Sequence, residues 1–289
     1  MIHVVIGASG YLGSSILSCL ANEKHVIATY RTKKEPIANE DWKQLDVGDV
    51  ASIDSFLSEL DADEQYSFYY LAALHHPDKV EEDWQQAWDI NITGLSYFVS
   101  RLPENSDLIY SSTDNVYGES IDFNAFNELS TLSPVNEYGK QKLLAENIVS
   151  SRGFKVVRYC FLIGPSIISK PHFYDVIKQA CNTDKGISLM EDSFRSVISF
   201  RQASAYTVEL MTKFWKIPTG AINIATDEVL TKYEIGLKIV ESSKHDRISK
   251  ISIDDSGIFT AKRPKNVILS NSKLKRLLSL TEIKTDGYL

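Results

Sequence analysis

The sequence predicts an α/β protein built on a doubly wound parallel sheet, and three observations carry that expectation. Through the first 160 residues, short β-branched runs alternate with helical periodicity, the pattern of parallel βαβ units covered on both faces. A glycine-rich turn, Gly7-Ala8-Ser9-Gly10-Tyr11-Leu12-Gly13, joins the first strand pattern to the first helix pattern. Beyond Gly164-Pro165 the rhythm becomes irregular, which points to a second, smaller lobe.

Taken in order, residues 2–6 read as a buried strand, and 11–21 as a helix with Leu12, Ile16, Leu17 and Leu20 on one face. A strand over 25–30, a helix over 53–60 and a strand over 68–72 follow. Residues 80–102 read as one long helix that begins acidic, as its dipole prefers. A strand over 108–111, a helix over 138–151 and a strand over 155–158 complete the half. Helices are expected over 173–180, 204–215, 231–241 (Thr231 as N-cap) and 272–278. The chain divides into a dinucleotide-binding domain over 1–160, with a segment returning to it over about 196–221. Residues 161–195 and 222–289 form the substrate-binding lobe.

Bulk properties narrow the function. The 289 residues are 43% hydrophobic and 24% charged, enough for a sizeable core without staples. Three scattered cysteines without a C-x-x-C pair suit reduced thiols better than a disulfide framework or zinc site. The start of the chain has no secretory pattern and no apolar run spans a membrane, so a cytoplasmic protein is expected. A formal charge of −7 disfavours nucleic acid as a partner.

The motifs carry more. A pyrophosphate at the glycine turn would meet backbone N–H groups at a helix N-terminus. Glycines there permit positive φ, close phosphate approach and tight helix–strand packing; a glycine-rich turn without a ligand is the alternative. At the end of strand two, where an acid would select NAD, the chain has Tyr30-Arg31-Thr32-Lys33-Lys34. A guanidinium there pairs a 2′-phosphate, which favours NADP(H), with NAD(H) as the alternative. Asp46, beside Val47, is either an acceptor for the adenine amino group or simply a helix N-terminal acid. Tyr138 and Lys142 lie four apart on one helix face, where an ammonium would favour phenolate and prepare the tyrosine for proton transfer. Ser111-Ser112-Thr113-Asp114-Asn115 ends a buried strand at the sheet edge where ligands bind, though an ordinary turn would read the same.

In combination these motifs resemble the extended short-chain dehydrogenase/reductases, a class of sugar-nucleotide epimerases, dehydratases and reductases. The matching residues are Gly7, Gly10, Gly13, the strand end Leu71-Ala72-Ala73, Asn91, Thr113, Tyr138, Lys142, and Arg158 leading to Gly164-Pro165. The resemblance implies a Rossmann-type doubly wound parallel sheet with a smaller, mixed α/β C-terminal substrate lobe. It makes Thr113, Tyr138 and Lys142 the catalytic set. Gly7, Ser9, Gly10, Tyr11, Leu12, Gly13, Arg31, Asp46, Val47, Leu71, Ala72, Ala73, Tyr138 and Lys142 become cofactor-binding positions. The second half is similar to dTDP-4-dehydrorhamnose reductases in Arg201-Gln202, in the segment 220–225 and in Lys262-Arg263-Pro264. That family has Asp-Gln where this chain has Arg201-Gln202, and Tyr-Val-Phe where it has Asn115-Val116-Tyr117. The implied reaction is NAD(P)H-dependent reduction of the C4 keto group of a nucleotide-linked 4-keto-6-deoxy sugar, in deoxysugar or polysaccharide biosynthesis. Asp114, Asn115, Gln202 and Arg263 would bind that substrate. Dehydratases carry Thr-Asp-Glu at the strand end, and the Asn115 amide cannot replace that base. The alternatives are an NAD-dependent epimerase and a non-catalytic NADP(H)-binding regulatory member. No metal and no membrane are called for, and a homodimer is the assembly this reading allows.

Overall fold

The computed structural model describes residues 1–32, 41–183, 185–255 and 257–287. Lys33 and Lys34 of the basic stretch lie outside the described residues. The first half runs β1 (Ile2–Ile6), α1 (Tyr11–Cys19), β2 (Val26–Tyr30), β3 (Asp41–Gln44), α2 (Val50–Ser58) and β4 (Tyr66–Tyr70). Then come α3 (Pro77–Glu82), α4 (Trp84–Trp88), α5 (Leu95–Arg101), β5 (Ser106–Thr113), α6 (Glu137–Ser151) and β6 (Lys155–Tyr159). The second half has β7 (Phe161–Ile163), α7 (Phe173–Cys181), β8 (Ile187–Met190), β9 (Phe194–Ser199), α8 (Phe200–Thr212) and β10 (Ala221–Ile224). It closes with β11 (Val229–Thr231), α9 (Lys232–Ile239), β12 (Ile248–Ile251), β13 (Asn266–Val267) and α10 (Ser272–Leu278).

Among the described residues the main sheet has seven strands in the order β10-β6-β5-β4-β1-β2-β3, with every pair parallel. The order reverses next to β1, so ligands are expected at the carboxyl ends of β1 and β4. Parallel strands must be covered on both faces, and β4 (Tyr-Ser-Phe-Tyr-Tyr) is accordingly buried at every residue. Ile16 and Leu17 of α1 pack on one face with Leu210 of α8 and Leu274 of α10. Phe56 of α2, Phe98 of α5 and Val149 of α6 pack on the other. The smaller lobe is mixed: β9 pairs antiparallel with β11 and parallel with β7 and β13, while β8 and β12 form a separate parallel pair.

Two expectations change. The helix over 80–102 is three α-helices and a π-turn at Asp89–Gly94. Asp83 breaks it by capping a new helix, its carboxylate accepting from the Gln86 N–H at 3.0 Å. Close packing requires glycine at the end of that turn: a Cβ on Gly94 would fall 1.7 Å from the Val47 carbonyl oxygen. The segment that returns to the large domain is also displaced from 196–221. Strand β9 belongs to the small sheet, and β10, ending at Ile224, is the seventh strand of the large one. Local pattern says nothing of which sheet each strand joins.

Candidate active site

The cradle at the first turn is shaped by backbone. Gly7 adopts φ +85°, and a Cβ there would lie 3.0 Å from the Ala72 nitrogen. A Cβ on Gly13 would approach the Gly7 carbonyl oxygen to 2.3 Å, so only glycine lets α1 start this close to β1. Thr29 fixes the loop, accepting from the Gly7 N–H at 2.9 Å and donating to the Val5 carbonyl. Among the described residues no side chain caps α1 and no acid sits in its first turn, so neither occupies its N-terminal N–H groups. This cradle fits the pyrophosphate of a dinucleotide. Leu71 and Ala72 border it, Leu71 donating to the Ile6 carbonyl at 3.0 Å. Leu12 packs into the core beneath.

Other cofactor positions are placed differently. The Tyr11 hydroxyl crosses to the smaller lobe and donates to the Pro171 carbonyl at 2.8 Å, its ring against His172 and Phe200. Asp46 uses one carboxylate oxygen for its own turn, accepting from the Gly48 N–H, and Asp49, not Asp46, caps α2. Arg31 is exposed just past β2, its carbonyl accepting from the Gln44 amide. Asn91, brought round by the π-turn, pairs both backbone groups of Leu74 and donates to Gln141 at 2.9 Å. It thereby ties the strand-end loop at 71–74 to α6; π-turns of this kind recur at functional sites.

The catalytic candidates meet at the carboxyl end of β5. The Asn136 side chain caps α6 by accepting from Gly139, which delivers Tyr138 in the first turn. Gly139 allows that approach, since a Cβ there would lie 2.7 Å from the Asn115 carbonyl oxygen. Near the Tyr138 phenol, the Thr113 hydroxyl donates to Asp114 at 3.1 Å. Asn115 organises both neighbours, its amide donating to Thr113 at 3.1 Å and to Asp114 at 2.9 Å. From the smaller lobe Arg195 approaches Asp114 to 3.8 Å.

Lys142 departs from expectation. Its ammonium donates to the Ser111 carbonyl at 2.8 Å and the Tyr110 hydroxyl at 3.0 Å, and lies 6.0 Å from the centre of the Tyr138 ring. The ammonium is engaged by these two oxygens and makes no hydrogen bond to the phenol among the described residues. Burial, reinforced by the Asp114 carboxylate and only partly opposed by Thr113, pushes the Tyr138 phenol well above its ordinary value. Burial likewise pushes Lys142, 2% exposed, down to about 7, with Glu146 opposing. Because its folded pKa lies below the unfolded one, the unfolded chain binds more protons between about pH 7 and 10. The cost of burying Lys142 is therefore complete below pH ~7 and fades as pH rises. Ser111 and Tyr110 would lose a donor in Lys142→Met, which offsets part of the gain. The variant is expected to be more stable than the parent by roughly 1–3 kcal/mol near pH 6, with the difference gone near pH 10. Urea unfolding at both pH values measures this.

Two substrate positions also resolve. Gln202 does not join the cluster: its amide donates to the Lys284 carbonyl at 2.7 Å and to Tyr206, so it anchors the C-terminal segment. The third position of α8 faces that segment, which no local pattern reveals. Arg263 is held by Asp78 at 2.9 Å, and Asp78 also accepts from the Thr260 and Ala261 N–H groups. Although burial opposes it, these donors hold the Asp78 carboxyl below its usual range. Sequence reasoning missed Asp78 and Arg195. Beneath the site, buried Glu146 accepts from Ser112 and from Arg158 at 2.6 Å, and Arg158 donates to Tyr117 at 2.8 Å.

Comparison with known proteins agrees with this architecture. A family model described as the RmlD substrate binding domain matches residues 1–285. The probable low-salt glycan biosynthesis reductase Agl14 of Haloferax volcanii is 24% identical over 250 residues, 83% of this chain and 80% of that protein. Methionine adenosyltransferase 2 subunit beta of Rattus norvegicus is 23% identical over 281 residues, 95% of this chain and 81% of that one. A dTDP-4-dehydrorhamnose reductase of Bacillus anthracis, solved in complex with NADP, superposes with a TM-score of 0.80. It is 19% identical, over 99% of this chain and 96% of that one. With nearly its whole length matched and a Rossmann-type fold in common, the chain belongs to the RmlD substrate binding domain family.

Proposed function

We propose that the protein is an NAD(P)H-dependent reductase of the C4 keto group of a nucleotide-linked sugar. One observation carries the reading: a buried phenol, Tyr138, stands with Thr113 and Asp114 at the carboxyl end of β5, where Arg195 of the smaller lobe approaches Asp114. A bound reduced nicotinamide supplies the hydride. Tyr138 donates the proton to the keto oxygen, and burial keeps it in the protonated form this direction requires. With substrate bound, the Thr113 hydroxyl turns from Asp114 to donate to the same oxygen, while the Asn115 amide still donates to Thr113. Lys142, fixed by Ser111 and Tyr110, holds the ribose of the cofactor. Arg195 and Arg263 meet the diphosphate of the substrate, where guanidinium groups are the natural partners. Asp114 contacts the sugar.

For the cofactor, Arg31 favours the 2′-phosphate form. Arg31→Ala is expected to weaken NADPH by about 1.5–3 kcal/mol, the worth of a charge-assisted hydrogen bond, with NADH little affected. Fluorescence titration with each cofactor measures it, and equal losses remove Arg31 as the selector. The second reading, a subunit that binds the cofactor without turnover, is favoured by the match to a named subunit of another enzyme. The intact Thr113–Tyr138 pair speaks for chemistry. Following NADPH oxidation with a panel of nucleotide-linked 4-keto-6-deoxy sugars separates the two: turnover supports the reductase, and none across the panel supports the subunit.

A further inference from the structure

Three cations converge at one end of the small sheet because neighbouring strands deliver them. Arg195 on β9 stands opposite Leu230 of β11 on one side and Val267 of β13 on the other. Lys232 directly follows β11, and Arg263 lies just upstream of β13. Phe259 links two of them: the Lys232 ammonium is 5.3 Å from its ring centre and the Arg263 guanidinium 4.7 Å. Phe161 and Phe173, at 5.9 and 5.7 Å, complete an aromatic cage around Lys232.

The charges are unevenly matched. Arg263 has Asp78, and Arg195 has Asp114, yet one buried Arg195 nitrogen, Nη1, has no hydrogen-bond partner among the described residues. Among the described residues neither a carboxylate nor a hydrogen-bond acceptor meets the Lys232 ammonium. It also occupies the first position of α9, where the helix dipole disfavours a cation. Burial, with repulsion from Arg195 and Arg263, pushes it down to about 8. Three ring faces attract a cation but do not neutralise it. An uncompensated ammonium beside two guanidinium groups is the arrangement of a site for a multiply charged anion, and a purely structural lysine would have no need of this place.

We propose that Lys232 is a substrate-binding residue which, with Arg195 and Arg263, holds the diphosphate of the nucleotide-sugar. The proposal rests on the nucleotide-sugar reading above. It is tested by calorimetric titration with dTDP, UDP, GDP, CDP and ADP in turn, each also as the monophosphate, with the cofactor site saturated by NADP⁺. Lys232→Met and Lys232→Gln are expected to weaken the tightest diphosphate about ten- to a hundred-fold, and the monophosphate less. Lys232→Arg should keep most of the affinity, and NADP⁺ binding, measured separately, should not change in any variant. Equal diphosphate affinity in the parent and the neutral variants overturns the assignment and leaves the nucleotide-sugar reading standing. A parent protein that binds none of the diphosphates overturns both.

Discussion

Tyr138→Phe is expected to lower kcat by at least about 10²-fold while leaving NADPH affinity nearly unchanged. The substitution removes one hydroxyl at the strand ends and keeps the ring against Val80 and Ala87. Thr113 retains its bonds to Asp114 and Asn115, so the neighbouring geometry persists. Steady-state oxidation of NADPH, with cofactor affinity measured separately, distinguishes loss of the proton donor from loss of binding. A near-normal kcat would show that another group protonates the keto oxygen. Because burial holds the phenol protonated, the reductive direction should stay active across neutral pH. The reverse direction, which needs phenolate, should gain as pH rises.

The second large effect concerns stability. Arg158 and Glu146 are 5% and 4% exposed and form a pair that ties α6, the helix of Tyr138, to β6, extended by Ser112, Tyr117 and Asn223. Arg158→Met leaves the Glu146 carboxylate buried without its cation. The expected loss is about 3–5 kcal/mol, a large share of the stability of an ordinary domain. Removing both charges, in Arg158→Met with Glu146→Leu, should recover much of it, because the desolvation cost disappears with the pair. Urea midpoints of the two variants and the parent make the comparison. A loss below about 1 kcal/mol in the single variant would mean that water reaches the pair.

The legible parts of this molecule were those written in local pattern. Buried β-branched runs marked most of the large sheet, and the Gly7–Gly13 turn marked its ligand edge, because positive φ and close packing demand glycine there. Thr113 and Tyr138 are picked out by motif and resemblance, and both are buried, one ending β5 and the other in the first turn of α6. Spacing failed where it stood in for environment. Four residues along a helix put Lys142 on the Tyr138 face, yet its ammonium turns to Ser111 and Tyr110, and burial outweighs any pull on the phenol. The π-turn at Asp89–Gly94 leaves no mark in composition, and the close approach of Gly94 to Val47 that accompanies it is a tertiary contact. Arg195, Asp78 and Lys232 gain their neighbours from strand order in the small sheet and from contacts between lobes. Gln202 looked like part of a motif and serves the C-terminal segment instead.

The most direct test of the reductase reading is to trace the hydride. NADPH deuterated at nicotinamide C4, on each face in turn, is incubated with the enzyme and a nucleotide-linked 4-keto-6-deoxy sugar. With one of the two labels, the account predicts one deuterium at sugar C4 for each NADP⁺ formed, with a C4 hydroxyl in the product. Asn115 offers no base for dehydration, so a nucleotide-linked hexose with catalytic NAD should give no 4-keto-6-deoxy product. Formation of that product at enzymatic rates, or no label transfer to any sugar of the panel, would contradict the account.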